Sequence, residues 1–114
     1  MCIKRGDIYY VKKTGKSTGC EQNAGRPAII VSNNIGNNMS NIKQVVFLTT
    51  ETKHKLPTHV SINSAKYPST ALCEQIFTVS DKRLGKYYGK CTEDEIIELD
   101  KALMISIGLD ENYK

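Results

Sequence analysis

The sequence predicts a mainly β fold of the α+β kind: a small, curled antiparallel sheet of five to seven short strands with one C-terminal helix packed on it. Three observations carry this. Short runs rich in β-branched and aromatic residues alternate with Gly-, Asn- and Pro-containing breaks up to residue 90. One stretch, after Thr92, carries apolar residues at helical spacing. With 114 residues, 39% hydrophobic and 25% charged content, the chain suits a single domain over 1–114 with one modest core.

The elements follow in order. Residues 7–11 read as a strand, opened by Arg5 and Gly6. Residues 12–25 are polar and rich in Gly, Ser, Thr and Lys, and read as a long loop, a kind usually functional or disordered in a small domain. The continuous apolar run within 27–32 marks a buried strand. The Asn-rich stretch 33–41 reads as a turn cluster. Residues 44–50 form the next strand; Leu56 and Pro57 lead into a period-two strand over 59–62, with Pro57 suited to a strand start. A further strand covers 71–79, a short helical turn 80–84, and a small closing strand 85–90.

The helix signal is the clearest. Thr92 as N-cap and Glu95 three residues on form a capping box. Glu93, Asp94 and Glu95 suit the positive end of the helix dipole and read as capping groups. Ile96, Leu99, Leu103 and Ile107, helped by Ala102, make the apolar stripe, and Gly108 is a natural stop.

Charge is unevenly placed. Residues 1–91 carry 14 Lys/Arg against 5 Asp/Glu, whereas 92–114 carry 2 against 7. A body this basic suggests an anionic polymer as partner, against the plainer alternative of a solvated lysine-rich surface. No apolar run nears the roughly 18 residues a membrane span needs, and the first residues show no signal-peptide segment; the expected location is cytoplasmic. Cys2, Cys20, Cys73 and Cys91 are scattered without a C-x-x-C pair and read as reduced thiols, so neither a metal site nor a cofactor is expected.

Glu21 through Pro27 is the most informative segment. Arg26 stands between Gly25 and Pro27 at the mouth of the strand that holds Ala28 and Ile29. Pro27 fixes its own φ and pushes Arg26 toward an extended backbone. Gly25 permits a tight turn or a close approach. The guanidinium, with five donors in a rigid fork, is thereby presented from a stiff platform suited to a phosphate. The competing reading is an arginine that pairs with a carboxylate. Only His54 and His59 exist, so a histidine base is poorly supported, and His59 is expected to touch a base rather than move a proton. Tyr9, Tyr10, Tyr87 and Tyr88 read first as barrel-filling residues and second as stacking surfaces. Glu74 and Gln75 can match Watson–Crick edges, or simply cap a polar strand end.

These blocks resemble the MazF/PemK toxins of bacterial toxin–antitoxin modules. The matching segments are Lys4 to Tyr9, Glu21-Gln22 through Arg26-Pro27, Leu48-Thr49-Thr50, Leu56 to Val60, Leu72 to Ile76 with Thr78, Arg83-Leu84, and the helix up to Leu109. The resemblance spans almost the whole chain in the family's order. It implies an SH3-like barrel and a homodimer with single-stranded RNA in a groove across the subunit interface. It implies sequence-specific, metal-independent RNA cleavage and a cognate antitoxin, whose neutralising segment is expected to be acidic and partly disordered. The catalytic arginine of the family falls on Arg26 and its partner threonine on Thr49, with Thr50 as the alternative. RNA contacts fall on Arg5, Glu21, Leu56, Pro57, Thr58, His59, Glu74 and Gln75. Asn23-Ala24 stand where the family often has two glycines.

The chemistry implied is attack of an RNA 2′-hydroxyl on the adjacent phosphate with departure of the 5′-oxygen, giving a 2′,3′-cyclic or later 3′-phosphate and a 5′-hydroxyl. Arg26 would stabilise charge and help protonate the leaving oxygen; Thr49 would donate a hydrogen bond to the same phosphate. Water, a phosphate oxygen or Glu21 are the open choices for the 2′ proton. Two other functions compete. A gyrase-poisoning toxin on the same barrel is poorly matched, because the chain has no Trp and its last residues do not resemble those toxins' terminal anchor. A non-catalytic RNA or peptide adaptor would tolerate Arg26→Ala with only weakened binding.

Overall fold

The computed structural model describes residues 2–13, 25–51 and 55–114. Six strands make one antiparallel sheet: β1 (Asp7–Val11), β2 (Arg26–Ile30), β3 (Ile42–Thr49), β4 (His59–Ile62), β5 (Ser69–Ser80) and β6 (Leu84–Lys90). Their spatial order is β4-β5-β3-β2-β1-β6. The mainly β, barrel-like expectation holds, with six strands. The sheet stays open, because no pairing between the edge strands β4 and β6 is present among the described residues. The ladder slips between Val46 and Leu48 on β3 and on both sides of Tyr9 on β1. Irregularities of this kind sharpen strand twist and curl a short sheet.

Alternation explains why both faces are apolar. Ile8, Ile29, Val46 and Leu48 lie on one face with Val60, Ile62, Cys73 and the helix residues Leu99 and Ala102. Their neighbours Tyr9, Ala28, Ile30, Val45 and Phe47 lie on the other with Val11, Val79 and Leu84. A strand buried on both sides has no polar positions to alternate with, hence the unbroken Ala28-Ile29-Ile30 run.

The C-terminal helix is α2 (Glu93–Ser106), and its capping box forms as read: Thr92 Oγ1 accepts from Glu95 N–H and Glu95 accepts from Thr92 N–H. Gly108 ends it at φ +76°, a left-handed turn that favours glycine. Ile107, counted in the buried stripe, is instead 59% exposed, because the helix has already ended there. No helix among the described residues is long and apolar enough to cross a membrane.

Three sequence readings need correction. The Asn-rich stretch holds a short helix, α1 (Asn34–Met39), because Asn33 caps it by accepting from Gly36 N–H at 2.7 Å. The end of the chain adds an unforeseen 3-10 turn, Glu111–Tyr113. Glu95 does more than cap. Its carboxylate also accepts from Asn63 N–H (2.7 Å), Ser64 N–H (3.3 Å) and Ser64 Oγ (2.6 Å), tying the β4–β5 loop to the helix. Cys2, Cys73 and Cys91 are free thiols, the last two buried.

Candidate active site

Two open clefts meet at one end of the sheet and share Thr49, Thr50, Glu51 and Ser69. The first, of about 360 Å³, is bounded by Gly25, Arg26 and Pro27 at the head of β2, by the end of β3, by Ala65, Lys66 and Tyr67 of the β4–β5 loop, and by Tyr88 of β6. The second, of about 350 Å³, opens between the end of β3 and β4, with Lys55, His59, Ser61 and Thr70 among its walls.

Arg26 is the first residue of β2 and is paired with Val11 of β1. On the other side of β2 the ladder to β3 runs Ala28 opposite Phe47 and Ile29 opposite Val46. Continued by two residues, this register sets Arg26 opposite Thr49. Pro27 lies just before that ladder begins, where a missing N–H is tolerated. Among the described residues no carboxylate forms an ion pair with Arg26. At Gly25 a Cβ would overlap the Tyr10 phenol, so the close approach that glycine permits there is made by a side chain. Tyr10 in turn packs its ring 6.0 Å from that of Tyr88, in the cleft wall.

Thr49 is buried, 8% exposed, whereas Thr50 is exposed. Thr49 Oγ1 accepts from Glu51 N–H at 3.2 Å. A hydroxyl whose oxygen is occupied in this way keeps its proton for donation.

Thr58, His59 and Glu74 form one hydrogen-bonded group. Thr58 Oγ1 donates to Glu74 Oε1 at 2.9 Å, and His59 Nε2 lies 3.1 Å from Glu74 Oε2. Leu56 N–H donates to His59 Nδ1 at 3.3 Å, which leaves Nε2 as the ring's donor. Both ring nitrogens are therefore occupied within the protein. Burial pushes the Glu74 carboxyl up, but the hydrogen bonds from its own backbone N–H, His59 and Thr58 prevail and hold it below the usual carboxylate range.

The structure brings Arg26 and Thr49 into one cleft and places His59 in the wall of the adjoining one. Leu56 and Pro57 are exposed on the loop before β4. Gln75 is half-buried on β5, next to Glu74, and lines neither cleft. Arg5 is not brought to the clefts: its Nε donates to Val31 O at 2.8 Å and its Nη2 pairs with Asp100 of α2 at 2.8 Å. Glu21 lies outside the described residues, as do Cys20, His54 and most of the 12–25 loop. Sequence reasoning missed Glu51, Lys66, Tyr67 and Ser69 in the cleft walls. The available signal was a cation and an aromatic side by side before Pro68, in a loop between two strands. Among the described residues no group of three His, Cys, Asp or Glu side chains is arranged to hold a metal ion.

Comparison with known proteins adds to this geometry. Residues 4–107 match the family described as PemK-like, MazF-like toxin of type II toxin–antitoxin system. An Endoribonuclease MazF of Staphylococcus epidermidis is 40% identical over 113 residues, covering 95% of this chain and 93% of that protein. A solved mycobacterial endoribonuclease in complex with its cognate antitoxin is 28% identical, with a TM-score of 0.79 over 95% of this chain and 97% of that one. MazF from Deinococcus radiodurans, 19% identical, shares the fold with a TM-score of 0.79 over 95% of this chain and 98% of its own.

Proposed function

The chain belongs to the PemK/MazF family of type II toxin–antitoxin toxins and is an endoribonuclease of that family; from this premise we propose that it cuts single-stranded RNA at defined sequences, without a metal ion, in the cleft between Arg26 and Thr49. The observation that supports the proposal is one open cleft lined both by Arg26, without an ion pair among the described residues, and by the buried Thr49 at the end of the neighbouring strand.

The reaction uses the RNA's own 2′-hydroxyl. Its oxygen forms a bond to the adjacent phosphorus while the bond from phosphorus to the 5′-oxygen breaks. The 2′ proton leaves to an acceptor such as water or a carboxylate, and the 5′-oxygen takes up a proton to leave as a hydroxyl. Arg26 holds the non-bridging oxygens as negative charge grows and lies near the leaving oxygen; its high pKa suits it to electrostatic help and donation rather than to base catalysis. Thr49, with its oxygen anchored by Glu51 N–H, donates to the same phosphate. Thr49 is favoured over Thr50 because it is buried at the cleft with its oxygen held, whereas Thr50 is exposed. The 2′-hydroxyl requirement makes RNA, not DNA, the substrate.

Of the other expected contacts, Leu56 to His59 run into the start of β4, Thr58 and His59 are hydrogen-bonded to Glu74, and Gln75 follows Glu74 on β5. We assign them to RNA binding, with His59 acting through its hold on Glu74 rather than with a free nitrogen. Arg5 is assigned to tying the N-terminal segment to α2. The protein acts as a cytoplasmic homodimer restrained by a cognate antitoxin, whose acidic, partly disordered segment competes with RNA for the basic body. Cleavage of a long defined RNA with end mapping, by wild type and Arg26→Ala in the presence of EDTA, tests the reading. Wild type should leave cyclic or 3′-phosphate and 5′-hydroxyl ends, and Arg26→Ala should fold but not cut. Cleavage by Arg26→Ala at the wild-type rate, or a wild type silenced by EDTA, would overturn it.

A further inference from the structure

We propose that Lys66 and Tyr67 form a nucleotide subsite on the wall of the cleft facing Arg26, in which Tyr67 stacks the base next to the scissile phosphate and Lys66 neutralises a neighbouring phosphate. The proposal rests on the nuclease reading of the same cleft and extends it to residues outside the family contacts read from the sequence. Four observations support it. Both side chains line the first cleft together with Arg26 and Thr49. Tyr67 is 61% exposed, so its ring is accessible from the cleft. Lys66 Nζ lies 5.7 Å from the Tyr67 ring centroid, so the ammonium attends one face of the ring and leaves the other for a base.

The fourth observation is rigidity. The loop that carries the pair is held at its start by three hydrogen bonds to Glu95. It is held at its end by Ser69 Oγ donating to Tyr67 O at 2.7 Å. It also presses on β6 at Gly89, whose φ is +146° and where a Cβ would stand 2.7 Å from Ser64 O. A loop fixed at this many points, with its two largest side chains presented to solvent in a cleft, is built as a platform. Stacking on an aromatic ring tolerates any base, so the subsite adds affinity without dictating sequence.

The test uses the full-length protein and an RNA oligonucleotide around a mapped cleavage site, with a second copy carrying 2′-hydrogen at the scissile nucleotide for binding measurements. Tyr67→Ala should raise KM, and weaken binding of the deoxy copy, about tenfold, with kcat within about twofold. Tyr67→Phe should behave as wild type. Lys66→Gln should reduce the slope of log affinity against log salt by about 0.7, the contribution of one phosphate contact on a single strand. Thermal midpoints should not move, because both side chains are exposed. Wild-type affinity in Tyr67→Ala, or a loss confined to kcat, overturns the subsite. Arg26→Ala is run alongside: if it cuts at the wild-type rate, the assignment of the chemistry to this cleft fails; if it is inactive while Tyr67→Ala and Lys66→Gln bind as wild type, only the subsite fails.

Discussion

Glu95 Oε1 lies 2.6 Å from Ser64 Oγ, a contact that joins the first turn of α2 to the loop walling the Arg26 cleft. The same carboxylate closes the capping box, so one side chain both starts a helix and fixes a loop 31 residues away in sequence.

Removing it should therefore act on both. Glu95→Ala is expected to cost about 2 kcal/mol, from a lost cap and unsatisfied loop donors. It should also speed hydrogen exchange at the Asn63 and Ser64 amides. Burial pushes the Glu95 carboxyl up, but hydrogen bonds from Ser64, Thr92 and Asn63 prevail and hold it low. Its contribution is full above the ordinary carboxylate range and is lost as pH falls through the depressed value. Unchanged protection of the Asn63 amide in Glu95→Ala would show that the loop is held by something else.

Gly25 and Tyr10 should be coupled. A methyl group at 25 must displace the Tyr10 phenol and, with it, the contact to Tyr88 in the cleft wall. Gly25→Ala is expected to lower kcat/KM at least about tenfold and to cost about 1–3 kcal/mol of stability. Shortening the obstacle in Gly25→Ala/Tyr10→Val should recover part of the loss, a non-additivity that a double-mutant cycle reads directly. Strict additivity would mean that the two residues do not share the space.

Thr49 and Thr50 are distinguished by exposure and register. Thr49→Val keeps the shape and removes the donor; kcat should fall about a hundredfold, the usual scale for one preorganised donor to a developing charge. Thr50→Val, on the exposed neighbour, should change kcat by less than about threefold. The reverse pattern in single-turnover cleavage would move the role to Thr50.

How much of this could be read from residues alone differs by element. The helix was legible from Thr92 to Gly108 because capping chemistry is local and written in adjacent residues. The buried β2 run was legible because a strand covered on both faces leaves no polar positions. The α1 turn was misread because an Asn-rich stretch suits either a turn or a capped helix, and the choice rests on whether Asn33 finds Gly36 N–H. Arg26 and Thr49 were legible as candidates, but their apposition depends on the β2–β3 register, a non-local fact. Lys66 and Tyr67 were not legible, since what places them is a carboxylate on α2. The partners of Arg5, Val31 and Asp100, were not legible for a similar reason, since both are far along the chain.

The Glu74 group supplies the remaining prediction. Glu74 accepts from Thr58 and His59, and these bonds outweigh burial in holding its carboxyl below the ordinary range. A carboxyl with a depressed folded-state value stabilises the fold above its ordinary value and loses that contribution as pH falls through the lowered one. Urea unfolding at neutral pH and at about pH 3, below the ordinary glutamate value, should show wild type losing stability relative to Glu74→Gln. The amide keeps an acceptor for His59 Nε2–H but has no proton to gain. RNA binding should follow the same axis, because the β4 entrance that carries Leu56 to His59 is held through His59, which accepts from Leu56 N–H on one side and meets Glu74 on the other. Glu74→Ala should therefore weaken RNA binding severalfold while leaving kcat at saturating RNA near wild type, since Glu74 itself lines neither cleft. A fall in kcat with affinity intact would place Glu74 in the chemical step and remove it from the RNA-binding residues.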